Sequence, residues 1–155
     1  MMFSFRSLRV ATTVMALATL AACSKKDDAT PAPAPNPEGM SWTVDGNNVT
    51  ATTAVSQAAS GTLVTLAGAT SSTGGVFLDV PKVVGTYPVT STSDASASYV
   101  VTPSTGSSQF YDATTGTIVV SAVSATSISG TFTFTGAGTG AATKTLTNGK
   151  FNVKL

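Results

Sequence analysis

Ile128-Ser129-Gly130-Thr131-Phe132-Thr133-Phe134-Thr135 decides the fold. Ile128, Phe132 and Phe134 fall on one side of an extended chain, and Ser129, Thr131, Thr133 and Thr135 on the other. That strict period of two belongs to a strand with one buried and one wet face. Lys150-Phe151-Asn152-Val153-Lys154-Leu155 repeats it, with Phe151, Val153 and Leu155 inward. Working outward, the same reading gives strand candidates at 41–44, 49–56, 62–67, 76–80, 86–90, 97–102, 109–112, 117–123 and 143–147. No window beyond residue 40 shows helical spacing with helix formers. Asp45-Gly46-Asn47-Asn48 and Asn148-Gly149 supply residues that tolerate the φ > 0 of tight turns. The chain past residue 40 is therefore predicted to be all-β, an antiparallel β-sandwich of about 8–10 short strands, with a small β-barrel as the alternative.

Composition agrees. Residues 40–155 hold 24 Thr and 16 Ser and no Glu, and β-branched Thr fits a pleated surface better than a helix. The 42% of hydrophobic residues in the chain argues against disorder. Gly-Thr-apolar recurs at Gly61-Thr62-Leu63, Gly85-Thr86-Tyr87, Gly116-Thr117-Ile118 and Gly130-Thr131-Phe132. The intervals are unequal, so it reads as a strand-entry device rather than a solenoid repeat. Pro88 and Pro103 lack a ladder donor, which places their segments at edges or bulges.

The first 39 residues have a different character. Arg6 and Arg9 precede an apolar run from Val10 to Ala22, and the chain turns polar after Cys23. This is the layout of a secretory signal peptide. The run of 13 residues is short of the roughly 20 that cross a bilayer core. Leu20-Ala21-Ala22-Cys23 resembles the lipobox of bacterial lipoproteins: an aliphatic residue, two small residues and the cysteine that takes a diacylglyceryl group. The resemblance implies cleavage before Cys23, a lipid anchor on that cysteine, and a mature protein that sits on a membrane without spanning it. Cys23 is the sole cysteine, so no internal disulfide exists.

Ser24-Lys25-Lys26-Asp27-Asp28 resembles the short Lys- and Asp-rich export signal that follows the lipid cysteine in surface lipoproteins of Bacteroidota; a solvated charge run beside the headgroups is the alternative. Position 24 is not Asp, so it lacks the signal that retains many lipoproteins at an inner membrane. The expected location is the outer membrane, facing the exterior. Ala29 to Gly39, with prolines at 31, 33, 35 and 37, favours extended polyproline II and reads as a semi-rigid spacer. The organisation is thus a signal peptide over 1–22, a lipidated, Pro-rich tether over 23–39 and one domain over 40–155.

Met40-Ser41-Trp42-Thr43-Val44-Asp45-Gly46, Gly85-Thr86-Tyr87, Ser129-Gly130-Thr131-Phe132 and Leu146-Thr147-Asn148-Gly149-Lys150-Phe151 occur in that order. Together they resemble a family of uncharacterised Bacteroidota surface lipoproteins whose domain opens on an aromatic-x-Val-Asp-Gly hairpin and closes on Thr-Asn-Gly-x-Phe. That resemblance implies a β-sandwich and brings no catalytic residue with it.

Chemistry is sparse. Without Arg6 and Arg9 the chain carries six Lys against seven acids, and within 40–155 four Lys face four Asp. No basic stripe exists for phosphates, so nucleic acid is not an expected partner. There is no His, which excludes His-based triads and His-ligated zinc. Asp79 and Asp112 are the carboxylates a glycosidase would have to use, yet each also suits a strand end or a turn. Asp45-Gly46-Asn47-Asn48 offers oxygens but lacks the acidic count of a calcium loop. No catalytic residue, metal site or cofactor is expected.

A surface module of structural or interacting role is the preferred function, with a carbohydrate-binding module of a glycan-uptake system as the alternative. Its partner would be a protein or a glycan, in addition to the membrane held through Cys23. Trp42, Tyr87 and Tyr99 are expected in the core. Phe110 and Tyr111 are the candidate ligand contacts, because adjacent strand residues point to opposite faces and one of the pair must lie outside.

Overall fold

The structure is a computed structural model that describes residues 36–58, 61–71 and 74–155. Within them the chain forms ten strands: β1 (Gly39–Val44), β2 (Asn47–Thr50), β3 (Thr53–Ala58), β4 (Leu63–Thr70), β5 (Gly74–Pro81), β6 (Gly85–Thr90), β7 (Ser96–Val101), β8 (Gln109–Val123), β9 (Ser127–Ala137) and β10 (Thr143–Lys154). A single 3₁₀ turn at Thr139–Ala141 joins the last two.

All ten strands belong to one antiparallel sheet: nine run in the order β2-β1-β10-β9-β8-β7-β5-β4-β3, and β6 lies off that path beside β8. The sheet curls into a half-barrel, so the expected all-β antiparallel class stands and its two halves enclose a common core. Strand β8 is long enough to carry two neighbours on one flank. Its first residues pair with β7 (Ser98↔Asp112, Val101↔Gln109), and its later ones pair with β6 (Gly85↔Val120, Thr90↔Thr115). Among the described residues β6 pairs with β8 alone, so Pro88 lies on an edge strand as expected. Pro103 falls in the loop that precedes β8.

The alternation of Phe132 with Phe134, and of Phe151 with Val153, points those side chains inward. They join Leu66, Leu78, Ile118, Ile128 and Leu146 in the core. Trp42 packs edge-on against Tyr99 (6.5 Å, 70°), and Tyr99 against Tyr111 (6.2 Å). The buried Trp42 N–H has no hydrogen-bond acceptor among the described residues. Tyr87, expected in the core, is half-buried at its margin, and its hydroxyl donates to the Val83 carbonyl (2.7 Å).

Asp45 (φ 50) and Gly46 (φ 78) make the two-residue hairpin between β1 and β2, where both central positions need the left-handed region. Asn148-Gly149 does not turn the chain. The segments read as 143–147 and 150–155 are one strand, and Asn148 (φ 52) marks a bulge where the register with β9 shifts between Leu146 and Gly149. Likewise 109–112 and 117–123 join through Ala113–Gly116, with a register shift between Ala113 and Thr115. The segment read as 49–56 divides into β2 and β3.

The strand-entry reading of Gly-Thr-apolar holds at Gly61 and Gly85 but not at Gly116 and Gly130, which lie inside strands. Gly130 is a close-approach position. A Cβ there would stand 1.9 Å from the Val119 carbonyl oxygen and 2.6 Å from Cζ of Phe151.

Candidate functional site

The strand register divides the outer face of the sheet into two chemically different halves. On β8, β9 and β10 threonines fill neighbouring outward rows: Thr115↔Thr135↔Thr145 form one across three strands, and Thr117↔Thr133 part of the next. Thr135 and Thr145 share a hydroxyl hydrogen bond (3.0 Å). On β3, β4, β5 and β7 the row Gln57↔Thr65↔Asp79↔Ser96 is polar, and the two rows beside it are largely apolar. Val55↔Ala67↔Phe77 form one row, and Ala69↔Gly75↔Val100↔Phe110 the next. Val55 is 43% exposed, Phe77 42% and Phe110 60%. Large side chains held against water on an otherwise hydroxylated face form a patch of the kind that marks interaction sites.

A shallow groove of about 540 Å³ runs along this strip, lined by Ala69, Gly75, Phe77, Val100, Thr102 and Pro103 among others. Among the described residues none that lines it is charged. The Phe110 end of the strip lies far along β8 from the chain entry, whereas its β3–β4 end comes back toward it: Ser56 donates to the Lys154 carbonyl (2.6 Å), and Gly68 sits against Met40, which pairs with Phe151. From Phe110 to Val120, strand β8 covers about 33 Å at roughly 3.3 Å per residue. At the far end Gly130, opposite Val120, receives the first described residue of the chain. The Asn36 amide donates to the carbonyls of Gly130 (2.8 Å) and Phe151 (3.4 Å), and Asn152 donates back to the Asn36 carbonyl (2.8 Å). The chain thus enters the sheet on the row of Gly130 and Phe151, the proximal pole, and presents Phe110 toward the distal end of β8.

Of the two candidate contacts, Phe110 is outside and Tyr111 is buried at 5% exposure, its hydroxyl donating to Gln109 Oε1 (2.9 Å). Phe77, two strands away from Phe110, is the contact that sequence reasoning missed. In Val76-Phe77-Leu78 three consecutive apolar residues hide which one faces out, although the period of two through Val76, Leu78 and Val80 assigns Phe77 to the opposite face. The lipobox residues Leu20, Ala21, Ala22 and Cys23 lie outside the described residues.

The polar groups near the strip are engaged. Asp79 accepts hydrogen bonds from Thr65 (2.5 Å) and Ser96 (2.9 Å). It is separated from Asp112 by one intervening strand and two positions of register, about 12 Å between Cα atoms at ordinary strand spacing. Asp45 forms an ion pair with Lys144 beneath the β1–β2 hairpin. That contact holds the Lys144 ammonium above its usual range, and burial raises the Tyr99 phenol nearby. Among the described residues no group of three His, Cys, Asp or Glu side chains could hold a metal ion.

The geometry therefore defines a small all-β domain, a curled sheet with an outward apolar strip that ends on Phe110, far along β8 from the chain entry. Residues 36–153 match the family model described as Domain of unknown function (DUF6252), and the chain belongs to that family. No curated protein and no solved structure matches the chain.

Proposed function

We propose that this chain is a bacterial outer-membrane lipoprotein, cut before Cys23 and anchored by lipid on that residue, which displays a non-catalytic interaction domain to the exterior. The Arg-flanked apolar run, the lipobox-like Leu20-Ala21-Ala22-Cys23 and the Pro-rich tether support the anchoring. One observation carries the interaction role: Phe110 stands outward at 60% exposure, about 33 Å along β8 from Val120 in the Asn36 entry row, where a tethered domain can offer it to a partner, with the outward Phe77 two strands away. Asp79, bonded to Thr65 and Ser96, is held in a structural arrangement that supports the non-catalytic reading.

Two measurements test the reading. Mass spectrometry of the mature protein should find Cys23 as an acylated N-terminus, and Cys23→Ala should accumulate as unprocessed precursor. A photoreactive group at position 110 in intact cells should cross-link to a partner, whereas one at Thr133, on the threonine half, should not. A normally processed Cys23→Ala protein would overturn the anchor, and equal cross-linking at both positions would overturn the contact surface.

Glycan binding is the second reading, favoured by a specific observation. The groove sets the exposed Phe77 ring beside hydroxyl-bearing Thr102 and Ser104 with no charged lining residue among those described, a combination suited to stacking and hydrogen bonding of a neutral sugar. A glycan array that yields binders to the wild-type domain and none to Phe77→Ser would establish it.

A further inference from the structure

We infer that the proximal pole docks on the bilayer surface through the Lys82-Val83-Val84 knuckle between β5 and β6, so that the anchored domain stands on its membrane rather than swinging free of it. The inference rests on the anchored reading above and adds a second, non-covalent membrane contact to it.

Val83 and Val84 are 61% and 60% exposed, and with Phe110 (60%) they are the most exposed large apolar side chains of the described residues. They are held there by two contacts. The Tyr87 hydroxyl donates to the Val83 carbonyl (2.7 Å), and the Lys82 N–H donates to the Thr62 carbonyl (3.3 Å). A tandem apolar pair pinned outward has already lost much of the freedom that binding would otherwise cost it. Adjacent Lys82 is exposed and adds a cation suited to an anionic headgroup.

Position identifies the occupant. Gly85, next to Val84, pairs with Val120, Val120 with Gly130, and Gly130 with Phe151. Gly130 and Phe151 are the residues whose carbonyls bind Asn36. The knuckle and the chain entry thus share one transverse row, about 14 Å apart across three strand spacings. Phe110, in contrast, lies toward the other end of β8.

Twelve residues lie between Cys23 and Asn36, enough for about 40 Å even when fully extended as polyproline II. A lipid on Cys23 therefore keeps the proximal pole within reach of the surface at an effective concentration on the order of millimolar. A patch far too small to recruit a free protein is sufficient for one already tethered. Insertion to the interfacial depth of about 5–10 Å that amphipathic surfaces reach would cover both valines.

The test uses the mature, lipidated protein in phosphatidylethanolamine–phosphatidylglycerol vesicles, with an environment-sensitive fluorophore on Val84→Cys or, at the distal pole, on Ser104→Cys. Acylation of Cys23 leaves the introduced thiol as the labelling site. Lipid-borne quencher should quench the probe at 84 several-fold more than the probe at 104. Val83→Ser in the position-84 protein should lower that quenching without changing flotation or thermal midpoint. Equal or absent quenching at both positions, with the protein still floating on vesicles, would overturn the docking and leave the anchor intact. Failure to float, with Cys23 unmodified by mass, would overturn the anchor and the docking with it.

Discussion

Gly68 and Met40 meet across the interior of the half-barrel: a Cβ built on Gly68 would stand 2.9 Å from both Cβ and Sδ of Met40. Gly68 belongs to β4 and Met40 to β1, strands from opposite halves of the sheet order, so this contact measures how tightly the sheet has curled. Gly68→Ala is expected to cost about 1–3 kcal/mol, the usual penalty of overpacking a filled core. Met40→Ala should cost about 2–5 kcal/mol by cavity formation, and the double variant less than the sum of the two. Urea denaturation of the four proteins measures the coupling; strict additivity would mean that the halves do not touch here.

The two faces of the sheet should separate cleanly by mutation. Phe132→Ala removes a 1%-exposed ring and is expected to cost about 3–5 kcal/mol. Phe77→Ser and Phe110→Ser, on the outer strip, should change stability by less than about 1 kcal/mol each. Urea midpoints check this, and a large loss at Phe110 would show that its ring is covered.

Asn36 fastens the chain entry through the carbonyls of two different strands. Asn36→Ala should destabilise by about 1 kcal/mol, the net worth of such bonds, and speed amide exchange where β10 borders Asn36, around Phe151 and Asn152. Asn36→Asp should not rescue it, since a carboxylate has no N–H to donate.

Stability should fall on the alkaline side. Lys144 is raised first by its hydrogen bond to Asp45, and Tyr99 first by burial. A group whose folded value lies above its unfolded one contributes fully below the unfolded value and loses that contribution as pH rises through the folded one. The thermal midpoint is therefore expected to drop as pH passes about 10, where lysine and tyrosine ordinarily titrate. Tyr99→Phe should remove part of that drop and Lys144→Met another part, measured by thermal melts between pH 8 and about 11.

What the sequence disclosed follows from what each signal measures. Alternation in 128–135 and 150–155 reports one wet and one dry face, and both segments are strands with the expected side chains inward. Asp45-Gly46 was legible because a two-residue hairpin demands φ > 0 at both positions. Asn148-Gly149 carries the same chemistry, yet there it makes a bulge. Local tolerance of the left-handed region cannot tell a reversal from an extra residue, because the difference lies in whether β9 continues alongside. Gly116 and Gly130 misled for a related reason: a glycine needed for close packing against another strand looks like one needed for a turn. The outward half of the Phe110-Tyr111 pair depended on register, and Phe77 was hidden within an apolar triplet. Asn36 sat in a run whose prolines read as a spacer, so its bonds to residues about a hundred positions away had no local trace.

The pairing of β1 with β10 has a consequence for how the molecule comes into being. Gly39 lies beside Asn152 and Val44 beside Leu146, so the first strand and the last share one seam. As the chain is made, strand β1 must wait, bare-edged and open to wrong partners, until β10 has been added to zip against it. Shortening the chain at either extremity would unfasten the same join.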